Sequence, residues 1–168
     1  MQVSRRGFTL IEVVIVMLVM AILALVVVSP FNLSNARAGA AAKKLEADLR
    51  YAQQLANASR IRHGVEVTNG TSYRVFQDDG GGGTTVSNPM TGAPYIISMT
   101  GDFNGVSLTT SLGGAPPKAQ FDSIGRPFDG SVVPIPVAAG ANAINLLVSG
   151  SVVETVTVVP NTGVVLVN

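Results

Sequence analysis

From Phe8 to Val28 the chain reads FTLIEVVIVMLVMAILALVVV, a run in which only Thr9 and Glu12 are polar. As a helix, at about 1.5 Å per residue, it spans roughly 30 Å, the thickness of a bilayer core. Arg5 and Arg6 precede the run, and the nearest basic residue beyond it is Arg37. That asymmetry puts the amino terminus on the cytoplasmic side and the bulk of the chain outside. A secretory signal peptide has a shorter apolar region followed by a small-residue cleavage site, whereas here Gly7 stands before the apolar run. A plain anchor has no use for Glu12. A carboxylate costs about 2.5–3.5 kcal/mol at the centre of a lipid-facing helix, and less near an end, so it calls for a partner. Pro30 is expected to end or kink the helix just past the bilayer.

The composition narrows the chemistry. Of 168 residues, 47% are hydrophobic and 12% charged, which argues against a disordered chain. A net charge of +1 gives no strongly basic field for gripping nucleic acid. There is no cysteine, which excludes disulfides, thiol nucleophiles and thiolate metal sites. His63 is the sole histidine, so multi-histidine metal sites are excluded too.

The sequence Arg5-Arg6-Gly7-Phe8-Thr9-Leu10-Ile11-Glu12 followed by an apolar helix closely resembles the cleavage and methylation signal of type IV pilins and type II secretion pseudopilins. The resemblance implies that a membrane aspartyl peptidase cuts after Gly7 and methylates the new amino terminus, Phe8. Glu12 matches the family's glutamate, and the amine on Phe8 then neutralises Glu12 of an adjacent subunit or of the same chain. Glycine suits a cleavage subsite because no side chain obstructs close approach of the backbone. An ion pair in a low-dielectric region gains several kcal/mol over one in water, which offsets part of the desolvation cost.

Residues 35–62 read NARAGAAAKKLEADLRYAQQLANASRIR, a helical composition without proline. Leu45, Leu49, Ala52, Ala56 and Ser59 recur at helical spacing as a narrow apolar face, and His63-Gly64 is expected to stop the helix. Beyond Gly64 the period becomes that of strands. A hairpin is expected over residues 65–76, with a tight primed turn at Asn69-Gly70. Residues 78–88 read as a glycine-rich loop. Further strands are expected at 95–99, 106–109, 119–122, 132–137, 143–148, 152–159 and 164–167, with turns at Ser149-Gly150 and residues 160–163.

The expected fold class is α+β: a long amino-terminal helix, part transmembrane and part amphipathic, packed on an antiparallel β-sheet head. The expected organisation is a leader over 1–7, a transmembrane and filament-core helix over 8–29, a linking helix over 30–62 and a periplasmic head over 63–168. Leu49-Arg-Tyr-Ala-Gln-Gln-Leu-Ala, Phe121-Asp-Ser-Ile-Gly-Arg-Pro and Val159-Pro-Asn-Thr-Gly resemble recurrent pieces of the GspH/FimT branch, the minor pseudopilin H group. That resemblance implies a structural subunit of a type II secretion pseudopilus, held first as a single-pass protein of the bacterial inner membrane. Its implied partners are prepilin peptidase, other major and minor pseudopilins, the inner-membrane secretion platform and the lipid bilayer. A minor type IV pilin acting in pilus biogenesis or DNA uptake shares the same amino-terminal residues and stays open.

The remaining motifs have simpler readings. Asp78-Asp-Gly-Gly-Gly-Gly lacks the Lys-Ser/Thr of a phosphate loop and the alternating acids of an EF-hand, so a surface turn is expected. His63 has no nucleophile elbow nearby and reads as a helix-end residue. Arg126 reads as a charge beside a turn. Residues 37–62 hold six Lys/Arg against Glu46 and Asp48, while residues 63–168 hold three against seven acids. An acidic head opposes DNA binding. No catalytic, cofactor or metal residue is assigned.

Overall fold

The computed structural model describes residues 8–27, 33–78, 80, 83–130 and 142–168. They belong to two units, one ending at Asn32 and one running from Leu33 to Asn168. Arg5, Arg6, Gly7, Pro30 and the strand expected at 132–137 lie outside the described residues.

In the first unit, helix α1 covers Leu10–Val27. Thr9 starts it: its carbonyl accepts from the amides of Glu12 and Val13 at 3.1 and 3.3 Å, and its hydroxyl accepts from Glu12 N–H at 3.4 Å. Thr9 and Glu12 thus stand at the two positions of a capping box. Every side chain from Phe8 to Ala24 is exposed. Among the described residues, no helix is long and apolar enough to cross a membrane. Helix α1 has 18 residues and a single charge, Glu12. At about 1.5 Å per residue they rise about 27 Å, short of the roughly 30 Å hydrocarbon core. Of the rest of the expected span, Phe8 and Thr9 precede the helix and residues 28–29 lie outside the described residues.

The second unit opens with α2, Leu33–Ser59. Ala38, Ala41, Ala42, Leu45, Leu49, Ala52 and Ala56 are fully buried along one face, which carries the expected stripe farther towards the amino end. Ser59 is exposed, not buried as its place in the stripe implied. Nor does His63-Gly64 stop the helix. Arg60 does, at φ 61° with its N–H on Ala56 O at 3.0 Å, in the left-handed position that ends many helices.

Two antiparallel sheets pack against α2 where the sequence implied one. The first contains β1 (His63–Asn69), β2 (Ser72–Gln77), β3 (Thr84–Thr85), β4 (Ile96–Ser98), β6 (Lys118–Phe121) and β7 (Pro127–Asp129). Its order is β3-β2-β1-β6-β7, with β4 also paired to β2. The second runs β10-β9-β8-β5, from β5 (Val106–Thr110), β8 (Ala143–Val148), β9 (Ser151–Val158) and β10 (Val165–Val167). Leu108 N–H donates to Gly70 O at 2.7 Å and ties β5 to the β1–β2 turn. Strands β3 and β7 were not anticipated. They are short, β3 lies within the glycine-rich stretch, and β7 begins with proline, which an edge strand tolerates.

The turns also differ from expectation. Neither Asn69 nor Gly70 has positive φ, so their turn is not primed. Its register shifts between Val67 and Asn69, and Asn69 Oδ1 accepts from Thr71 N–H at 2.8 Å. Ser149 and Gly150, at φ 52° and 82°, form the two-residue loop with primed handedness, matched to strand twist.

One polar cluster lies inside the apolar packing. Asp48, 2% exposed, points from α2 towards β2, where Tyr73 Oη donates to its Oδ2 at 2.8 Å. Tyr95 Oη donates to Oδ1 at 2.9 Å, and Lys44 pairs with the same oxygen. Lys44 Nζ also donates to Tyr95 Oη at 2.9 Å. Burial pushes both tyrosine hydroxyls above their ordinary value, and the Asp48 charge adds to the rise. Burial opposes the charge on Lys44, but its bonds to Asp48 and Tyr95 outweigh that and raise its pKa.

Tyr73→Phe removes one donor from this carboxylate and is expected to lower the unfolding free energy by about 1–3 kcal/mol in urea titrations. Stability should also fall as pH rises past about 10, because the unfolded chain ionises its tyrosines and loses the lysine charge first. A flat profile from pH 8 to 11 would contradict these assignments.

Candidate assembly site

The amino-terminal candidates occupy the start of α1. Phe8 precedes the helix and is 82% exposed. Glu12 falls in the first turn, where the helix dipole favours a carboxylate and where the cost of burial in lipid is below its mid-helix value. Thr9 was missed as a functional residue, although the Thr-x-x-Glu spacing that reveals it is in the sequence. By capping the helix it keeps Phe8 outside the hydrogen-bonded turns. The roles of Gly7, Arg5, Arg6 and Pro30 rest on sequence, since these residues lie outside the described ones.

In the second unit, the three sequence pieces that resemble the GspH/FimT branch come together. The β6–β7 turn is closed by Asp122, whose Oδ1 accepts from the Ile124 and Arg126 amides at 3.0 and 2.9 Å. Arg126 Nε donates to Asp122 Oδ2 at 2.8 Å. Burial alone would raise the Asp122 pKa, but the Arg126 side chain and these amides bring it below the usual value. The turn presents Gly125 O to α2, where Gln53 Nε2 donates to it at 3.0 Å. The turn after β9 arrives from the other side: Gly163 N–H donates to Val159 O at 2.9 Å, and Val159 N–H to Val164 O at 2.7 Å. At Gly163, with φ 67°, a Cβ would lie 2.4 Å from Gly125 O and 2.7 Å from Gln53 Nε2. Only glycine fits there. Gln53 was not singled out from sequence, because a glutamine on a helix face carries no signal of what lies opposite it.

The other candidates have structural partners. His63 is buried at the start of β1, with Nδ1 2.9 Å from Ile61 O and 3.4 Å from Ser59 Oγ. A carbonyl accepts, so Nδ1 carries the proton and is not a base for Ser59. Asp78 Oδ1 accepts from Gly80 N–H at 3.1 Å, a local turn. Among the described residues, no group of three or more His, Asp or Glu is placed to hold a metal. Arg126, Pro127, Phe128 and Asn161 line a small surface hollow, with the Arg62 and Arg126 guanidinium groups 4.9 and 5.9 Å from the Phe128 ring centre.

Residues 3–28 match the family model of the prokaryotic N-terminal methylation motif. The match supports the type IV pilin and pseudopilin superfamily, and with it processing by prepilin peptidase and assembly with other pilins. No curated protein and no solved structure matches the chain.

Gly163→Ala is expected to destabilise the second unit by about 1–3 kcal/mol through strained φ and the clash with Gly125. Gln53→Ala should cost about 1 kcal/mol, the net value of one hydrogen bond. Urea midpoints of the two variants check the order, and a neutral Gly163→Ala would refute the close approach.

Proposed function

We propose that this chain is a minor pseudopilin, a structural subunit of a type II secretion pseudopilus that helps export folded proteins across the outer membrane. The observation that carries this reading is the opening of α1 within the matched motif: a non-helical Phe8, then Glu12 in the first turn of an otherwise uncharged helix. In this reading, prepilin peptidase cuts between Gly7 and Phe8 on the cytoplasmic side and methylates the Phe8 amine. The chain waits in the inner membrane with its head in the periplasm, and Pro30 bends or melts the helix on assembly. Glu12 is tolerated in the apolar filament core because the cationic amine of Phe8 lies against it. Contacts between subunits are head-to-tail and heterologous, the kind that generates helices and not closed rings.

The convergence of Gln53, Gly125 and Gly163 supports the GspH/FimT branch, since the pieces that resemble it form one packed junction. An α2 helix packed on antiparallel sheets is consistent with a pilin-like head. The role is non-enzymatic, with no cofactor. A second reading, a minor type IV pilin acting in pilus biogenesis or DNA uptake, is favoured by Arg62 and Arg126 over Phe128. DNA retention that weakens steeply with salt would favour it over the first reading.

Glu12→Ala is expected to leave cleavage intact while impairing incorporation into the filament, measured by crosslinking to neighbouring pseudopilins in membranes. Unchanged incorporation would overturn the role given to Glu12. A bulky residue at Gly7 should leave the precursor uncut.

A further inference from the structure

Asn69 is exposed at the tip of the β1–β2 hairpin and is followed by Gly70. Its side-chain oxygen accepts three hydrogen bonds, from Thr71 N–H at 2.8 Å, Thr71 Oγ1 at 3.0 Å and Ser72 Oγ at 2.9 Å. The bond to Thr71 N–H closes a ring that folds the side chain back along the Gly70 peptide. Gly70 lies outside both strands, and its N–H has no acceptor among the described residues. With no side chain on Gly70, nothing there shields its nitrogen.

We propose that Asn69 is a self-modification site, converted through a cyclic imide to aspartate and isoaspartate by the folded hairpin itself. The Gly70 nitrogen, giving its proton to solvent hydroxide, attacks Asn69 Cγ. Negative charge develops on Oδ1, where three donors already point, the arrangement that stabilises a tetrahedral intermediate. The Cγ–Nδ2 bond then breaks and the nitrogen leaves as ammonia, protonated by water. Water adds to one of the two imide carbonyls and opens the ring, giving a carboxylate at either position. The sum is hydrolysis of one amide, with no oxidant or reductant. The turn acts by holding nucleophile and electrophile together, so that little ordering remains for the reaction.

The isoaspartyl product inserts an extra methylene into the backbone beside Gly70, whose carbonyl accepts the Leu108 bond between the β1–β2 turn and β5. Modification therefore loosens the link between the two sheets and adds a negative charge at the tip.

Asn104-Gly105 supplies an internal control. It is the same dipeptide, also exposed, and Asn104 has no hydrogen bond to its side-chain oxygen among the described residues. The test incubates the full-length, detergent-solubilised protein at neutral pH with and without denaturant, and follows both sites by peptide mass spectrometry. In the folded chain Asn69 should convert roughly tenfold faster than Asn104. In denaturant the two rates should converge. Thr71→Val combined with Ser72→Ala should bring Asn69 down towards the rate of Asn104, while Thr71→Ser, which keeps the hydroxyl, should preserve it. Conversion of Asn69 in the folded chain no faster than in the denatured chain overturns the proposal, as does an unchanged rate in the double variant.

Discussion

An alanine face lets a sheet come close to a helix axis, and the second unit depends on that closeness. Ala38, Ala41, Ala42, Ala52 and Ala56 line the buried side of α2, with Leu45 and Leu49 between them as the bulky contacts. Both sheets meet this face. Val65, Val75 and Phe121 from one sheet and Ile144, Leu146, Val156 and Val158 from the other share a single apolar cluster with it. Larger side chains on α2 would hold the sheets away and leave gaps between them, and close packing in such interiors penalises even small changes of volume.

Apolar contact alone leaves a helix some freedom to slide along a smooth face. Two polar contacts at different points along α2 remove it. Asp48 is held by Tyr73 and Tyr95 on the β2–β4 side, and Gln53 is held by Gly125 on the β6–β7 side. The first satisfies a buried carboxylate whose desolvation would otherwise be costly. The second brings together two turns distant in sequence, with Gly163 wedged against Gly125. Each contact is directional, so together they specify the axial position of the helix.

The first unit follows a different logic. Its side chains are exposed from Phe8 through Ala24, and Glu12 is set where a helix end tolerates a carboxylate best. A soluble helix would bury one face. A helix apolar on all sides is suited to lipid or to surrounding helices, which accords with the methylation motif matched over residues 3–28.

The sequence by itself determined what depends on neighbours along the chain. The apolar run, the Gly7-Phe8 and Glu12 spacing, the alanine-rich helix and the strands expected at 143–148 and 152–159, the second found one residue earlier at 151–158, were legible because periodicity and composition are local. The tertiary structure decided what depends on distant groups. It divided the strands into two sheets, since hydrogen-bonded order is set by which strands meet and not by any one strand's pattern. It moved the helix stop to Arg60, because Gly64 is needed in β1, where a Cβ would lie 2.2 Å from Ala119 O. It also buried Asp48, a residue that reads as solvated on any helix until two tyrosines more than twenty residues away supply its hydrogen bonds.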